Sequence, residues 1–196
     1  LKLKKLLKNS DIQLSSEQSD SVIGVLSNGL SILTGGPGVG KTTTVKFVYD
    51  MLIEMKKNVL LAAPTGRAAQ RMTEVIGSQS KTIHRLLKWD AVNSNFRKGE
   101  VDMLECDFII LDECSMLDIR LASSFFKAIS PNTQILLVGD KDQLPSVGPG
   151  NVFGDLINSK CVNIYSLEKV FRQAEKSKII NYAHTINKGL VPNIDT

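Results

Sequence analysis

The stretch LSILTGGPGVGKT, residues 30–42, determines the predicted fold. Its first part, Leu30–Thr34, is mostly apolar and predicts a buried strand, whereas residues 41–56 have the apolar periodicity of a helix. The loop between them, residues 35–42, matches the pattern G-x-x-x-x-G-K-[ST]. Glycines in such a loop let backbone N–H groups face a phosphate, and the helix N-terminus adds a favourable dipole. The three segments therefore predict a phosphate-binding loop, with an ordinary glycine-rich turn as the alternative.

The loop residues have predicted roles in binding a nucleoside triphosphate and its magnesium ion. Lys41 would reach the β- and γ-phosphates, and the hydroxyl of Thr42 would coordinate Mg²⁺. The loop and the first residues of the helix would surround the phosphates. The predicted nucleotide-binding residues are Gly35, Gly36, Pro37, Gly38, Val39, Gly40, Lys41, Thr42 and Thr43.

An apolar run at residues 108–111 ends in two adjacent acids, Asp112 and Glu113. This pattern suits a central parallel strand that ends at a metal site. Asp112 would hold Mg²⁺ through water, and Glu113 would be the general base that polarises the attacking water. Two acids that cap the next helix are the alternative. Residues 112–115 do not match the D-x-x-G pattern of GTPases, and residues 140–143 do not match N-K-x-D, so ATP is the predicted nucleotide.

Strand-like and helix-like segments alternate along the rest of the chain. Further strands are predicted at residues 58–63, 107–111, 134–138 and 162–166, and helices at 65–76, 82–87, 116–129, 151–158 and 176–187. Ser15 and Gln18 have the spacing of a capping box, which predicts another helix upstream of the first strand. Residues 93–99 are expected to form a polar loop. The alternation of at least five strands with helices predicts an α/β fold with a mainly parallel sheet.

Composition and charge narrow the class of protein. The 196 residues are 42% hydrophobic and 22% charged, as in globular domains, and no apolar run is long enough to predict a membrane span. The cysteines Cys106, Cys114 and Cys161 form no C-x-x-C pair, so reduced thiols in the cytoplasm are expected rather than a zinc site. The net charge of +4 permits a nucleic-acid partner without requiring one. Because the sequence begins at Leu1 rather than with Met, we expect it to be a segment of a longer protein.

Several motifs in a fixed order resemble those of superfamily 1 DNA helicases, specifically the RecD-like group, which includes the TraA-type conjugation proteins. The matching blocks are residues 35–42, 63–69, 82–87, 112–116, 139–145 and 171–173. The sequence Pro-Thr-Gly-Arg-Ala-Ala at residues 64–69 favours the RecD-like group over the Pif1-like group. The resemblance extends from about Leu14 to Gly189. It implies that the chain has a RecA-like P-loop NTPase fold and is the first motor domain of a helicase.

The resemblance also implies roles for residues outside the loop. Gln18 lies where these helicases place a glutamine that recognises adenine, a role that can coexist with helix capping. Gln143 corresponds to a γ-phosphate sensor supported by Asp140, with an ordinary loop glutamine as the alternative. Arg172 corresponds to an arginine that reaches the γ-phosphate, where a guanidinium would stabilise charge on the transferred phosphoryl group. An ordinary surface arginine is the alternative there. The predicted catalytic residues are Lys41, Glu113, Gln143 and Arg172.

Four residues are implied to contact the backbone of single-stranded DNA: Thr65, Arg67, Thr82 and His84. They follow predicted strand ends, on the side where ligands bind open α/β sheets. Contacts to phosphates are independent of base sequence, as translocation requires. A buried histidine is the alternative for His84. Trp89 and Phe96 are interpreted as core aromatics, with stacking on bases as the alternative.

By resemblance, the chain is expected to be a helicase or translocase motor that moves 5′→3′ in DNA repair or recombination. Its expected partners are ATP with Mg²⁺, single-stranded DNA and a second RecA-like domain of the same protein. The expected boundaries are a preceding segment at residues 1–13, the motor domain at 14–190 and a connection at 191–196. Alone, the chain is expected to bind nucleotide weakly and to unwind nothing. The alternatives are the helicase part of a TraA-type relaxase and a P-loop ATPase regulator that does not translocate.

Overall fold

Six parallel strands form the central sheet of the structure, a computed structural model that describes residues 14–169, 177–187 and 189–192. The strands are β1 (Leu30–Thr34), β2 (Val59–Ala63), β3 (Ser80–Thr82), β6 (Phe108–Leu111), β7 (Gln134–Gly139) and β8 (Asn163–Ser166). Their order across the sheet is β3-β2-β6-β7-β1-β8. A separate antiparallel hairpin joins β4 (Trp89–Asp90) to β5 (Asn95–Phe96). The predicted α/β fold with a mainly parallel sheet is confirmed.

Helices cover both faces of the sheet, which explains why its central strands are continuous apolar runs. The helices are α1 (Ser16–Ser27), α2 (Lys41–Glu54), α3 (Gly66–Ile76), α4 (Ile83–Leu86), α5 (Ile119–Lys127), α6 (Val152–Ser159) and α7 (Lys178–Asn187). On one face, Phe108 and Ile110 of β6 pack in the cluster formed with α1, α2 and α3. On the other, Ile109 and Leu111 pack in the cluster formed with α4, α5 and α6. Both cores therefore meet at the same buried strand.

The N-terminal helix α1 is fixed to the rest of the domain at both of its ends. At its start, Ser15 and Gln18 form the predicted capping box. Near its end, Asn28 Nδ2 donates to the hydroxyl of Tyr165 in β8 at 3.0 Å. Gly24 faces the same ring so closely that an added Cβ would lie 2.0 Å from the Tyr165 oxygen. Only glycine allows α1 to pack this closely on β8.

The structure corrects some predicted element boundaries. The helix predicted at 116–129 is divided, because Asp118 caps α5 by accepting from the N–H groups of Arg120 and Leu121 after a short 3₁₀-helix at Cys114–Met116. Strand β3 and the β4–β5 hairpin were not predicted, and β5 occupies part of the expected polar loop at 93–99. The predicted segment at 1–13 and most of the one at 191–196 lie outside the described residues. None of the described helices is long and apolar enough to cross a membrane.

Candidate nucleotide-binding site

The carboxyl ends of the parallel strands bring the predicted site residues to one edge of the sheet. The phosphate-binding loop follows β1, the acidic pair follows β6, and Asp140 follows β7, which lies between β1 and β6. Because the strands are parallel and in register, these three segments are neighbours. Open α/β sheets bind ligands at this edge.

Glycines shape the loop after β1. Gly38 and Gly40 have φ angles of 78° and 84°, in the left-handed region that other residues avoid. At Gly35 an added Cβ would lie 2.6 Å from the Leu167 carbonyl oxygen, so the loop also packs closely on the segment that leaves β8. These glycines explain why the loop can turn sharply into α2.

Lys41 is folded over the loop at the start of α2. Its Nζ donates to the carbonyl oxygens of Gly35 and Gly36, the latter at 2.9 Å. Burial lowers the pKa of Lys41, and the nearby carboxylates of Asp140, Glu113 and Asp112 act in the opposite direction. The ammonium group is therefore largely desolvated and lies in a negative environment, which suits an exchange of carbonyl partners for phosphate oxygens.

The acidic pair lies directly after β6. Asp112 Oδ1 accepts from the backbone N–H of Glu113 at 2.8 Å, and Glu113 has a left-handed φ of 54°. Burial raises the pKa of Asp112. Burial also raises the pKa of Glu113, and the negative charge of Asp112 adds to that increase. A more basic Glu113 carboxylate is better suited to accept a proton from water.

Asp140 and Gln143 lie in the loop that follows β7. Asp140 is buried, and its carboxylate accepts from the Asp142 N–H at 3.0 Å. The side-chain oxygen of Gln143 accepts from the hydroxyl of Ser115 at 3.4 Å, which joins this loop to the 3₁₀-helix that follows Glu113. Gln143 is thus linked by one long hydrogen bond to the segment that follows the acidic pair.

Gln18 lies beside the phosphate-binding loop. Its Nε2 donates to the Gly40 carbonyl oxygen at 3.3 Å, while its Oε1 accepts from the Ser15 N–H at 3.0 Å. The side chain is 1% exposed. The amide therefore connects the start of α1 to the residue that precedes Lys41, in addition to its predicted capping role.

The protein oxygens at this edge fit a magnesium ion. Asp112 offers a carboxylate, and the exposed Thr42 offers a hydroxyl in the first turn of α2; both are the hard oxygen ligands that Mg²⁺ prefers. No group of three or more histidine, cysteine or acidic side chains forms a metal site among the described residues. Such a site fits Mg²⁺, which usually retains waters, through which Asp112 can act, and binds substrate phosphates as well.

The sequence profile of the family described as "AAA domain" matches residues 18–149, about two thirds of the chain. The chain belongs to this family. The match includes the loop, the acidic pair and Gln143, so the site lies within the shared part of this AAA domain. Gln18 is the first residue of the match.

Curated relatives of this AAA domain include RecD proteins. It is 40% identical over 179 residues to an "ATP-dependent RecD2 DNA helicase" from Deinococcus radiodurans, covering 91% of this chain and 24% of the relative. It is 38% identical over 165 residues to a "RecBCD enzyme subunit RecD" from Mycolicibacterium smegmatis, covering 72% of this chain and 30% of the relative. The chain thus spans less than a third of either relative. The predicted membership of the RecD-like group of superfamily 1 is confirmed.

Solved structures with a similar fold include Pif1 helicases. A Pif1 helicase from Candida albicans matches with a TM-score of 0.67 and 22% identity, over 93% of this chain and 46% of that one. A Bacteroides Pif1 bound to single-stranded DNA matches with a TM-score of 0.58 and 23% identity, over 92% and 47%. At this identity the likeness shows the fold alone. It confirms the predicted RecA-like architecture of the AAA domain.

The four predicted DNA-contacting residues of the AAA domain lie at or just after the carboxyl ends of β2 and β3, which are neighbours in the sheet. The hydroxyl of Thr65 accepts from the Ala68 N–H and caps α3, and that of Thr82 accepts from the Arg85 N–H and caps α4. Each hydroxyl keeps its own hydrogen as a donor. Arg67 and His84 are exposed, so the alternative of a buried His84 is wrong.

The ring of His84 lies against two aromatics that were interpreted as core. Its centroid is 5.5 Å from that of Phe96 and 6.1 Å from that of Trp89, which are themselves 4.7 Å apart in the β4–β5 hairpin. Trp89 is 44% exposed, so it does not belong to the core. The hairpin supports one side of the His84 ring.

Two arginines are also relevant to the site, Arg172, which was predicted, and Arg71, which was not. Arg172, a predicted catalytic residue, lies outside the described residues. Arg71 in α3 was not predicted, although its charge acts on Lys41, Asp112 and Glu113. The sequence offered one signal for Arg71, its place two residues after the Arg-Ala-Ala block at 67–69.

Proposed function

We propose that this chain is the part of a helicase that binds and hydrolyses ATP and couples hydrolysis to 5′→3′ movement on single-stranded DNA. One observation carries the proposal: a single edge of the sheet holds Lys41, the Asp112–Glu113 pair and Gln143, next to the strand ends that carry the predicted DNA contacts. Because the two sets of residues are neighbours, the site is suited to couple ATP hydrolysis to movement on DNA. The names of the curated relatives support the same activity.

The residues divide the work of hydrolysis. Lys41 exchanges its carbonyl partners for oxygens of the β- and γ-phosphates, and the loop N–H groups bind the remaining charge. Glu113 orients water and accepts its proton. A magnesium ion held by Thr42 and Asp112 would neutralise part of the phosphate charge. Gln143, bonded to Ser115, changes its contacts when the γ-phosphate leaves.

The DNA contacts use side chains that are already fixed. Thr65 and Thr82 are held by their helix caps, so each donates its hydroxyl hydrogen to a DNA phosphate with little loss of side-chain entropy. Arg67 adds a charged contact to a phosphate. His84, whose ring is supported by Trp89 and Phe96, adds an imidazole N–H donor at the same edge. These contacts recognise phosphates rather than bases, as translocation requires.

The boundaries and the second domain belong to the same proposal. Residues 14–190 form the first RecA-like domain, after a preceding segment at 1–13 and before a connection at 191–196. A second RecA-like domain closes on ATP and single-stranded DNA and reopens after hydrolysis. The greater length of the curated relatives supports this arrangement.

The first test measures ATP hydrolysis by the full-length protein with and without oligo-dT. We expect strong stimulation by oligo-dT, because the DNA contacts lie beside the hydrolytic residues. Displacement of streptavidin from DNA biotinylated at its 5′ or 3′ end checks the direction of movement. A protein that moves 5′→3′ is expected to displace streptavidin from the 3′ end. Hydrolysis that does not respond to DNA would contradict translocation and favour a P-loop regulator.

Gln18 provides a separate prediction about the base of the nucleotide. Gln18→Ala and Ser15→Ala both break the capping box, so each is expected to lower stability by about 1 kcal/mol. Only Gln18→Ala removes the amide beside the loop, and we expect it alone to reduce the preference for ATP over GTP. Competition between the two nucleotides for the site measures this. An equal preference in both variants would show that Gln18 serves only as a cap.

A further inference from the structure

Arg71 is an exposed arginine of α3. The buried side of α3 is formed by Ala69, Met72 and Ile76, which face the core. Across the described part of the chain, no carboxylate forms a salt bridge with Arg71. The guanidinium is therefore available to a partner of opposite charge.

The packing of α3 against α2 places Arg71 near the phosphate-binding loop. Both helices follow strands of the parallel sheet, so both begin at its carboxyl edge. Apolar residues of both helices pack in one core cluster, and Lys46 Nζ of α2 donates to the Ile76 carbonyl oxygen of α3 at 3.3 Å, so the two helices lie side by side. Arg71 precedes Ile76 by five residues and therefore lies about 7.5 Å nearer that edge. Long helical side chains also point toward the helix N-terminus, which here lies at the carboxyl edge of the sheet.

The charge balance of the site favours a second cation. Three carboxylates, those of Asp112, Glu113 and Asp140, surround the single ammonium group of Lys41. A bound triphosphate would add further negative charge. Arg71 lies close enough for its charge to act on Lys41 and on both members of the acidic pair. Its guanidinium would offset part of the repulsion between the terminal phosphate and these carboxylates.

We propose that Arg71 is a phosphate-binding residue of the nucleotide site and that its guanidinium contacts the terminal phosphate of ATP. The inference rests on the proposed ATP binding and extends it to a residue outside the loop. A guanidinium suits this position because its planar N–H groups can hold two phosphate oxygens at once. Arg71 would thereby distinguish ATP from ADP within this chain.

The test measures nucleotide binding to the full-length Arg71→Gln variant, without hydrolysis. Competition against a fluorescent nucleotide gives the affinities for ADP and for a non-hydrolysable ATP analogue, both with Mg²⁺. We expect the affinity for the analogue to fall roughly tenfold or more, as for loss of a charged hydrogen bond, and that for ADP to stay unchanged. Arg71→Lys should recover part of the loss. Arg120→Gln, which removes an exposed arginine of α5, serves as the matched control.

Equal losses for ADP and the analogue, or no loss for either, would overturn the inference. A purely structural role for Arg71 would lower the melting temperature and both affinities together, so thermal unfolding of each variant is measured alongside. A failure of this inference can be distinguished from a failure of the proposed function. Wild-type hydrolysis that ignores oligo-dT would contradict translocation, whereas a selective loss of triphosphate binding in Arg71→Gln would still support this inference.

Discussion

Glu113→Gln is expected to remove most ATP hydrolysis from the full-length protein while leaving ATP binding intact. Glutamine keeps the size of the side chain but cannot accept a proton from water. Loss of a general base typically lowers the rate by about 10²- to 10⁴-fold, which is the effect expected for kcat. Steady-state hydrolysis with saturating oligo-dT, together with nucleotide binding at equilibrium, measures the two effects separately.

The control is Glu54→Gln, which makes the same chemical change at an exposed position near the end of α2. Its kcat should equal that of the wild type.

The wild-type rate should also fall as the pH drops through the raised pKa of Glu113, because only the carboxylate accepts a proton. The pH at which the rate falls is therefore expected to lie above the ordinary pKa of a glutamate side chain. A Glu113→Gln variant that hydrolysed ATP at the wild-type rate would show that another group is the base.

The unusual backbone of Glu113 supports this assignment. A non-glycine residue with a φ of 54° carries strain, which persists only where the surrounding structure imposes it. Here the turn is held by the Asp112 carboxylate on one side and by the 3₁₀-helix on the other. The turn fixes the backbone at the end of β6, so the carboxylate projects from a defined position. Such preorganisation is what a positioned general base requires.

The parts of the site that the sequence predicts are those whose chemistry depends on adjacent residues. The loop is recognisable because glycine, lysine and threonine must follow one another between a strand and a helix. Asp112 and Glu113 are recognisable because an apolar run ends at them. The capping box of Ser15 and Gln18 is local in the same way. In each case the pattern and the structure span only a few residues.

The parts that the sequence does not predict depend on tertiary packing. Strands β4 and β5 have two residues each, too few for a period of two to be visible. Arg71 is significant only because α3 packs beside α2, and no local pattern shows which helices become neighbours. The exposure of His84 likewise depends on its position against Trp89 and Phe96 rather than beneath them.

Lys41→Met is expected to reduce ATP affinity about a hundredfold or more, since each lost charged hydrogen bond costs about 1.5–3 kcal/mol and two phosphates lose a partner. The substitution also leaves Asp112, Glu113 and Asp140 without the cation they surround, so they repel the phosphates. Binding of a fluorescent ATP analogue measures the loss, and hydrolysis should disappear with it.

The matched control is Lys46→Met, because Lys46 lies on the same helix but interacts with Asp50 and with the Ile76 carbonyl instead of the loop. It should bind ATP like the wild type. Methionine retains much of the apolar length of lysine, so the two variants should have similar melting temperatures. In that case the lower ATP affinity of Lys41→Met is due to the lost charge and not to unfolding. If Lys41→Met bound ATP normally, the loop between β1 and α2 would be a structural turn rather than a phosphate site.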